Sequence, residues 1–440
     1  MAFSLHGVHV PHRKNTADKS ALRMEPPKTV TLPMSMHIGA PAKPIVKVGD
    51  LVKVGTLIAE AGGAVSAPIH ASVSGKVTKI MDYLLSDGRC VPAVVIESDG
   101  EMTPDDTLTP PTVNSRKDFI EAVRNAGIVG LGGAGFPTHF KLNADPAQIE
   151  HLIINGAECE PYVTSDTLTM VERVDDMARA LEAMKTYIGI KSVIIGVEDN
   201  KKKAIESMKK LMADVSKGCT ARVQVLPAVY PQGGEKVLIY HTTGKVVPMG
   251  KLPIDVGCVV INCTTLAAIG AYLKTGMPLT EKCVTVDGGA VKEPGNVLVP
   301  IGTAMEDVFG FCGGFTVDPV KVVYGGPMMG IAVPDTSAPI LKNTNAILAL
   351  TEREVKLPRT TACIRCGSCT NTCPFGINPA EIARAYKKRD AVALSDLSLM
   401  ACMECGCCSF VCPANRPLVQ TNKLAKVFLK EEQAKESKKA

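Results

Sequence analysis

Tryptophan is absent from these 440 residues, and aromatic side chains make up only 4% of them. That scarcity weighs against an aromatic stacking platform for single-stranded nucleic acid. The net charge of +5 is too small to imply a nucleic-acid partner by itself. The N-terminus, MAFSLHGVHVPHRKN, lacks the basic-then-apolar layout of a signal peptide. No run reads as a membrane span either. The most apolar stretch, residues 256–273, carries Asn262, Thr264 and Thr265 and breaks at Gly270. It reads as a strand running into a buried helix, so any membrane role is expected to be peripheral.

Apolar residues make up 46% of the chain, with 38 glycines and 30 prolines, which suits a turn-rich globular protein with room for two to four domains. Its sixteen cysteines are badly spread for disulfides, since nine fall between Cys363 and Cys412. Metal clusters in a reducing cytoplasm account for that better.

Residues 29–98 read as short strands punctuated by glycine. The pieces VKVGDLVKVGTLIAE and SAPIHASVSGKVTKI are alike, with Gly-Asp and Ser-Gly turns between alternating valines. They resemble the two halves of a biotinyl/lipoyl-type barrel sandwich. No lysine lies between Glu60 and Gly75 to carry a swinging arm, so the domain reads as structural. Acidic, proline-bearing residues 99–111 look like a linker. Helix then alternates with strand: a helix over 116–126, strands at 151–154, 192–197 and 221–226, and a helix capped by Asn200. That helix gathers Ala204, Ile205, Met208, Leu211 and Met212 on one face. The alternation is Rossmann-like. Short strands and turns return from Lys282, residues 345–356 bridge to the cysteines, and the last dozen residues are expected to fray.

Two cysteine runs follow one pattern: Cys363, Cys366, Cys369, Cys373-Pro374 and Cys402, Cys405, Cys408, Cys412-Pro413. Three cysteines at two-residue gaps wrap one corner of a four-iron cubane, and the fourth, before proline, reaches the other cluster. Two [4Fe-4S] clusters are therefore predicted. Cys363, Cys366, Cys369 and Cys412 would hold one, and Cys402, Cys405, Cys408 and Cys373 the other. Zinc, which also binds C-x2-C pairs, needs neither the third cysteine nor the Cys-Pro ending. Cys407 is a spare thiol, read as a packing residue. His6, His9 and His12 are spaced by three, but Pro11 disrupts a helix that would align them into a metal site.

The segment GLGGAGFPTHFK, residues 130–141, is rich enough in glycine to bring backbone N–H groups against a phosphate, with Lys141 adding charge. On spacing alone such loops are often mere turns. The whole stretch, however, resembles the glycine-rich loop of the flavin-bearing subunit of respiratory complex I. Three further segments match in order: NGAECEP (155–161), YPQGGE (230–235) and NCTTL (262–266). The resemblance implies that Gly130, Gly132, Gly133, Lys141, Asn155, Glu158, Tyr230, Gly233, Asn262 and Thr265 line FMN. It also implies that Phe136, Glu160 and Glu235 face NAD(H), with the two glutamates as catalytic candidates. Leu131, Ala157 and Gly234 depart from that family's arginine, aspartate and glutamate, each removing a charge or hydrogen-bond partner.

Over nearly its full length the chain resembles the RnfC family, the peripheral subunits of the Rnf complex. Its order of segments is similar: GVHVPH, HIGAPAKPIVKVGD, SAPIHASVSGKV, the glycine loop, a β-grasp segment and the dicluster module. The fold implied is multidomain α+β. An N-terminal extension and barrel-sandwich domain take residues 1–100, and a Rossmann-like FMN/NAD domain takes 111–275. A β-grasp (SLBB-type) domain follows at 276–335, an α-helical 2x[4Fe-4S] ferredoxin-type module at 355–425, and a charged tail at 426–440. The function implied is exchange of electrons between NAD(H) and, indirectly, ferredoxin, coupled to Na+ or H+ transport. The implied partners are Rnf subunits A, B, D, E and G, on the cytoplasmic face of the bacterial membrane. Soluble RnfC-like reductases of cobalamin or amino-acid metabolism, and a flavin-free relay scaffold, remain alternatives at this point.

Overall fold

Alternating valines close residues 29–98 into two small sheets. Thr29–Pro33, Cys90–Ser98, Gly75–Leu84 and Leu51–Val52 form one, and Lys43–Pro44, Leu57–Glu60 and Ile69–His70 the other. Val30, Leu32, Ile58, Ile69, Val77 and Ile96 are fully buried within one cluster. Each contributes about 1.5–3 kcal/mol relative to exposure. The turn joining the two halves is pinned down, with Gly62 N donating to Ser66 Oγ at 2.9 Å and Ser66 Oγ to the Ala40 carbonyl at 2.8 Å. This computed structural model describes residues 6–355 and 359–437. Parts of three predicted segments lie outside the described residues: 1–5 of the N-terminal extension, 356–358 at the entry to the cluster module, and 438–440 of the tail.

A second domain is built on four parallel strands in the order Thr220–Leu226, Ser192–Glu198, His151–Gly156, Cys258–Asn262. Helix Lys202–Val215 buries Ala204, Met208, Leu211 and Met212, the face its periodicity predicts. Asn200 does not cap it. The cap position belongs to Lys201, which is drawn inward by Glu198 and by the Glu158 carbonyl at 3.0 Å. Nor does Gly270 break the apolar run. It lies within helix Cys263–Thr275, where a Cβ would strike the Asp176 carbonyl of helix Val174–Ile188, so glycine allows the two helices to touch.

The third domain is a six-stranded mixed sheet: Ala21–Arg23, Gly295–Pro300, Glu281–Asp287, Ala346–Leu350, Lys321–Tyr324, Ile331–Val333. Helix Met305–Phe311 buries Met305, Val308 and Phe309 in this domain's core. Two members are unexpected. Residues 346–350, read from sequence as part of a bridge, are a central strand with all five side chains buried. A continuous apolar run of that length suits a strand covered on both faces. Residues 21–23, far off in sequence, add the edge strand.

The cluster module packs Pro379–Lys387 and Ala391–Asp396 against the long helix Leu418–Ser437, around Ile382, Leu394, Leu399, Ala425 and Leu429. That helix continues to Ser437, where fraying is expected from sequence. The composition accounts for it, because Glu, Gln, Ala and Lys all favour helix, and Glu432 pairs with Lys435 at 2.7 Å.

Candidate functional site

The chain runs from the central strand His151–Gly156 outward through Ser192–Glu198 to Thr220–Leu226 and then crosses back to add Cys258–Asn262 on its other side, so the strand order reverses there. Open parallel sheets form a crevice at such a switch point, beyond the carboxyl ends of the strands. Asn155 and Asn262 are register partners at that edge. Asn155 Nδ2 donates to the Gly233 carbonyl at 2.8 Å, and its Oδ1 accepts from Ala157 N at 3.1 Å. Asn262 Oδ1 caps helix Cys263–Thr275 by accepting from Thr264 N at 2.9 Å and Thr265 N at 3.2 Å.

Above this edge lies the glycine loop, anchored by Gly130 N to the Phe136 carbonyl at 2.8 Å and Leu131 N to Thr265 Oγ1 at 2.9 Å. Its tip, Gly132, Gly133 and Ala134, is exposed. A Cβ on Gly133 would meet nothing within 4 Å, whereas one on Gly132 would lie 2.7 Å from Asn262 Cγ. The loop thus offers bare backbone on one side and grips the sheet edge on the other. Lys141 Nζ donates to Glu235 Oε1 at 2.6 Å and lies 5.9 Å from the Phe136 ring centroid. A phosphate-bearing, hydrogen-bonding group such as FMN fits this chemistry: backbone approach, two amides and a cation at one crevice.

Not every residue predicted to line the crevice turns its polar end there. Buried Glu158 accepts from Asp166 N at 2.8 Å and from Thr167 N and Oγ1 at 3.2 and 2.7 Å, fixing the start of helix Ser165–Glu172. The Glu160 carboxylate accepts from Met328 N at 3.0 Å and Met329 N at 2.8 Å, and so ties the crevice to the third domain. Burial pushes its pKa up to about 7 against those two bonds and the Lys14 charge. Tyr230 is buried, and its hydroxyl donates to the Cys405 carbonyl at 2.7 Å. A Cβ on Gly234 would collide with the Met403 side chain. One wall therefore separates crevice and cluster module.

Sequence reasoning missed the strap over residues 7–16. Val8 pairs with Tyr230, and Thr372 Oγ1 donates to the Gly7 carbonyl at 2.9 Å. Lys14 is half-buried, with Nζ donating to the carbonyls of Glu158, Glu160 and Val163 at 2.8, 2.7 and 2.5 Å. The alternation of GVHVPH is the available signal: Val8 and Val10 are buried while His6, His9 and His12 are exposed.

In the cluster module, Cys373, Cys402, Cys405 and Cys408 line a single hollow with Pro374, Met403 and Val419. The residue from the first cysteine run joins the triplet of the second, the set a cross-ligated four-iron cluster needs. Asn422 Nδ2 donates to Cys402 Sγ at 3.4 Å. Cys369, Cys408 and Cys412 pack in one apolar group with Leu418 and Val419, while Cys363 and Cys366 are exposed on a loop tied to the Cys412 turn by Thr361 N to the Ala414 carbonyl at 3.0 Å. Cys407 is buried against Val8, Val10 and Tyr230.

Four family models match successive parts of the chain. Residues 3–101 match the RnfC barrel sandwich hybrid domain, 123–271 the Nuo51 FMN-binding domain, 283–332 the SLBB domain and 357–413 the 4Fe-4S dicluster domain. The C subunits of several oxidoreductase complexes are similar along most of their length. That of the proton-translocating ferredoxin:NAD(+) oxidoreductase complex of Clostridium ljungdahlii is 44% identical, over 86% of this chain and 83% of that one. The Na(+)-translocating counterpart of Acetobacterium woodii is 42% identical, over 87% of each. The counterpart in the ion-translocating oxidoreductase complex of Rhodobacter capsulatus is 41% identical, over 99% of this chain and 85% of that one. A sheet-edge crevice backed against a cysteine-lined hollow, and these relatives along nearly the whole length, place the chain in the RnfC family, the C subunits of ion-translocating oxidoreductase complexes.

Proposed function

We propose that this chain is the NAD(H)-reacting subunit of a ferredoxin:NAD+ oxidoreductase, holding FMN in the crevice and two [4Fe-4S] clusters on the eight cysteines. The observation that carries the reading is the shared wall: Tyr230, on a crevice motif, bonds the backbone of Cys405, on the cluster motif. Bound flavin takes the two electrons of a hydride and passes them on singly, as iron–sulfur clusters require. Gly130, Gly132 and Gly133 give that cofactor backbone contact, and Asn155, Asn262 and Thr265 fix the loop and strand ends around it. Lys141 brings positive charge. Phe136 and Glu235, half-buried at the mouth, are placed for the nicotinamide nucleotide. Gly233 keeps the Asn155 contact close. Glu158, Glu160 and Tyr230 act from behind, by fixing the backbone that lines the site.

The hollow holding Cys373, Cys402, Cys405 and Cys408 lies next to this wall, whereas Cys363 and Cys366 are exposed. A cluster on Cys373, Cys402, Cys405 and Cys408 would thus sit on the flavin side, and one on Cys363, Cys366, Cys369 and Cys412 on the side open to partner subunits, which we take to include A, B, D, E and G. Among the described residues no helix is long and apolar enough to cross a membrane. We take ion transport to belong to those partners, and this chain to lie peripherally on the cytoplasmic face. From Arg359 to Lys430 the module carries ten Lys and Arg against four Asp and Glu. Two oxidised clusters bring roughly −2 each, leaving too little charge to anchor it to anionic lipid at about 1 kcal/mol per basic residue.

Glu235→Gln tests the nucleotide site. The variant is expected to retain its flavin while its apparent affinity for NADH, followed by reduction of an artificial acceptor, falls about tenfold, the worth of one hydrogen bond to a charged group. Unchanged affinity for NADH would remove Glu235 from the site.

A further inference from the structure

We infer that Asp166 is a positioning residue for the flavin site, acting through the Asn262 amide; the inference rests on the FMN reading above. Asp166 lies in the first turn of helix Ser165–Glu172, outside all four crevice motifs, and is buried. Its carboxylate reaches the neighbouring strand end, where Oδ2 accepts from Asn262 Nδ2 at 2.7 Å and Oδ1 from Thr264 Oγ1 at 2.6 Å. Its own N–H goes to Glu158 Oε1 at 2.8 Å. One residue thus ties the segment after the central strand to the segment after its neighbour, across the switch point.

The tie gives the Asn262 amide a single sense. As it stands, Oδ1 accepts from Thr264 N and Thr265 N and Nδ2 donates to the carboxylate. Turned over, the amide would set its oxygen against a carboxylate and its NH2 against two N–H donors. Amide orientation is assigned from such a network, and here every neighbour favours the same assignment. An amide NH2 carries two hydrogens. Asp166 takes one, and the nitrogen lies against Gly132, at the position a Cβ there would need. The loop is therefore offered a donor, which suits the carbonyl, ribityl and phosphate oxygens of FMN. Burial and the Glu158 charge push the Asp166 pKa up, and Lys282 of the third domain, itself buried with no hydrogen-bond partner for Nζ among the described residues, pulls it back down in part.

The test titrates FMN into flavin-depleted full-length chain that retains its clusters, following flavin fluorescence. Asp166→Ala is expected to raise the Kd about tenfold or more, the worth of one hydrogen bond to a charged group. Asp166→Asn, whose side-chain oxygen still accepts from Asn262, should return to within about threefold of the parent. In an Asn262→Ala background, Asp166→Ala should add nothing, because the effect runs through that amide. Should the alanine variant not fold, Asp166→Ser, too short to reach Asn262, carries the same expectation. Parent-like affinity in a folded Asp166→Ala or Asp166→Ser chain would overturn the inference, as would additive losses in the double variant or no recovery in Asp166→Asn. A parent chain that takes up no FMN would instead overturn the flavin reading.

Discussion

Adjacent glycines in the loop should differ in how the same added methyl group affects stability, though both should lose FMN affinity. A Cβ on Gly132 would lie 2.7 Å from Asn262 Cγ and closer still to its Nδ2, so Gly132→Ala must displace that side chain. Asn262 caps helix Cys263–Thr275 and donates to the Asp166 carboxylate. Loss of an N-cap costs about 1 kcal/mol, and loss of a hydrogen bond to a charged group about 1.5–3 kcal/mol. The flavin-free chain should thus lose about 2–4 kcal/mol within this domain, together with FMN binding. Gly133→Ala meets nothing within 4 Å and should leave the flavin-free chain as stable as the parent. Its methyl would instead occupy space that bound flavin needs, so FMN affinity alone should fall. Because the chain has several domains, urea unfolding should be followed by a probe confined to the flavin domain, with FMN titrated by fluorescence. Gly132→Ala with the parent's unfolding midpoint, or Gly133→Ala with unchanged FMN affinity, would refute this account of the loop.

Cys373→Ala should remove the EPR signal of the cluster held by Cys402, Cys405 and Cys408 and spare that of Cys363, Cys366 and Cys369; loss of the latter instead would undo the cross-ligation. Lys342 joins three domains, its Nζ donating to the Pro68 and Gly127 carbonyls at 2.6 and 2.7 Å, and burial pushes its pKa down to about 7 from 10.5. Between those two values the unfolded chain holds a proton that the folded one lacks, so stability should rise with pH by up to about 1.4 kcal/mol per unit. Lys342→Met should lack that slope, and parallel pH profiles of the denaturation midpoint for variant and parent would refute it.

What the sequence discloses of this molecule is what repeats or keeps a spacing. Barrel-sandwich valines and the helix face of Ala204, Met208 and Leu211 each record a local geometry, and both are found as predicted, while of the two cysteine runs Cys373 meets Cys402, Cys405 and Cys408 at one hollow. The misreadings share a different cause. Residues 346–350 look like a connector because AILAL has no periodicity, and only neighbouring strands make it a sheet centre. Gly270 looks like a break because its partner, the Asp176 carbonyl, is 94 residues away. Asn200 loses its capping role to a Lys201 held by Glu198 and Glu158. In each case a contact distant in sequence overrides a local preference.

The same division runs through the candidate site. Motif residues such as Gly132, Asn155 and Asn262 gather at one crevice because a motif preserves backbone path. Side-chain ends follow no such rule. Glu160 and Tyr230 stand in crevice motifs, yet one carboxylate is spent on Met328 and Met329 and one hydroxyl on Cys405. Lys14 and Asp166, in no cofactor motif, hold the 158–163 backbone behind the site and the Asn262 amide within it. An electron relay has a reason for this arrangement. On the proposed reading the flavin and the inner cluster would sit in different domains, and transfer between them would depend on a fixed separation. The residues at the wall are therefore committed to joining domains, and the strap from Gly7 to Thr16 crosses flavin segment, sheet and cluster loop alike. Substitutions at Lys14 should on this argument slow transfer from flavin to cluster more than they weaken FMN binding, since the strap touches the backbone of residues 158–163 and not the glycine loop.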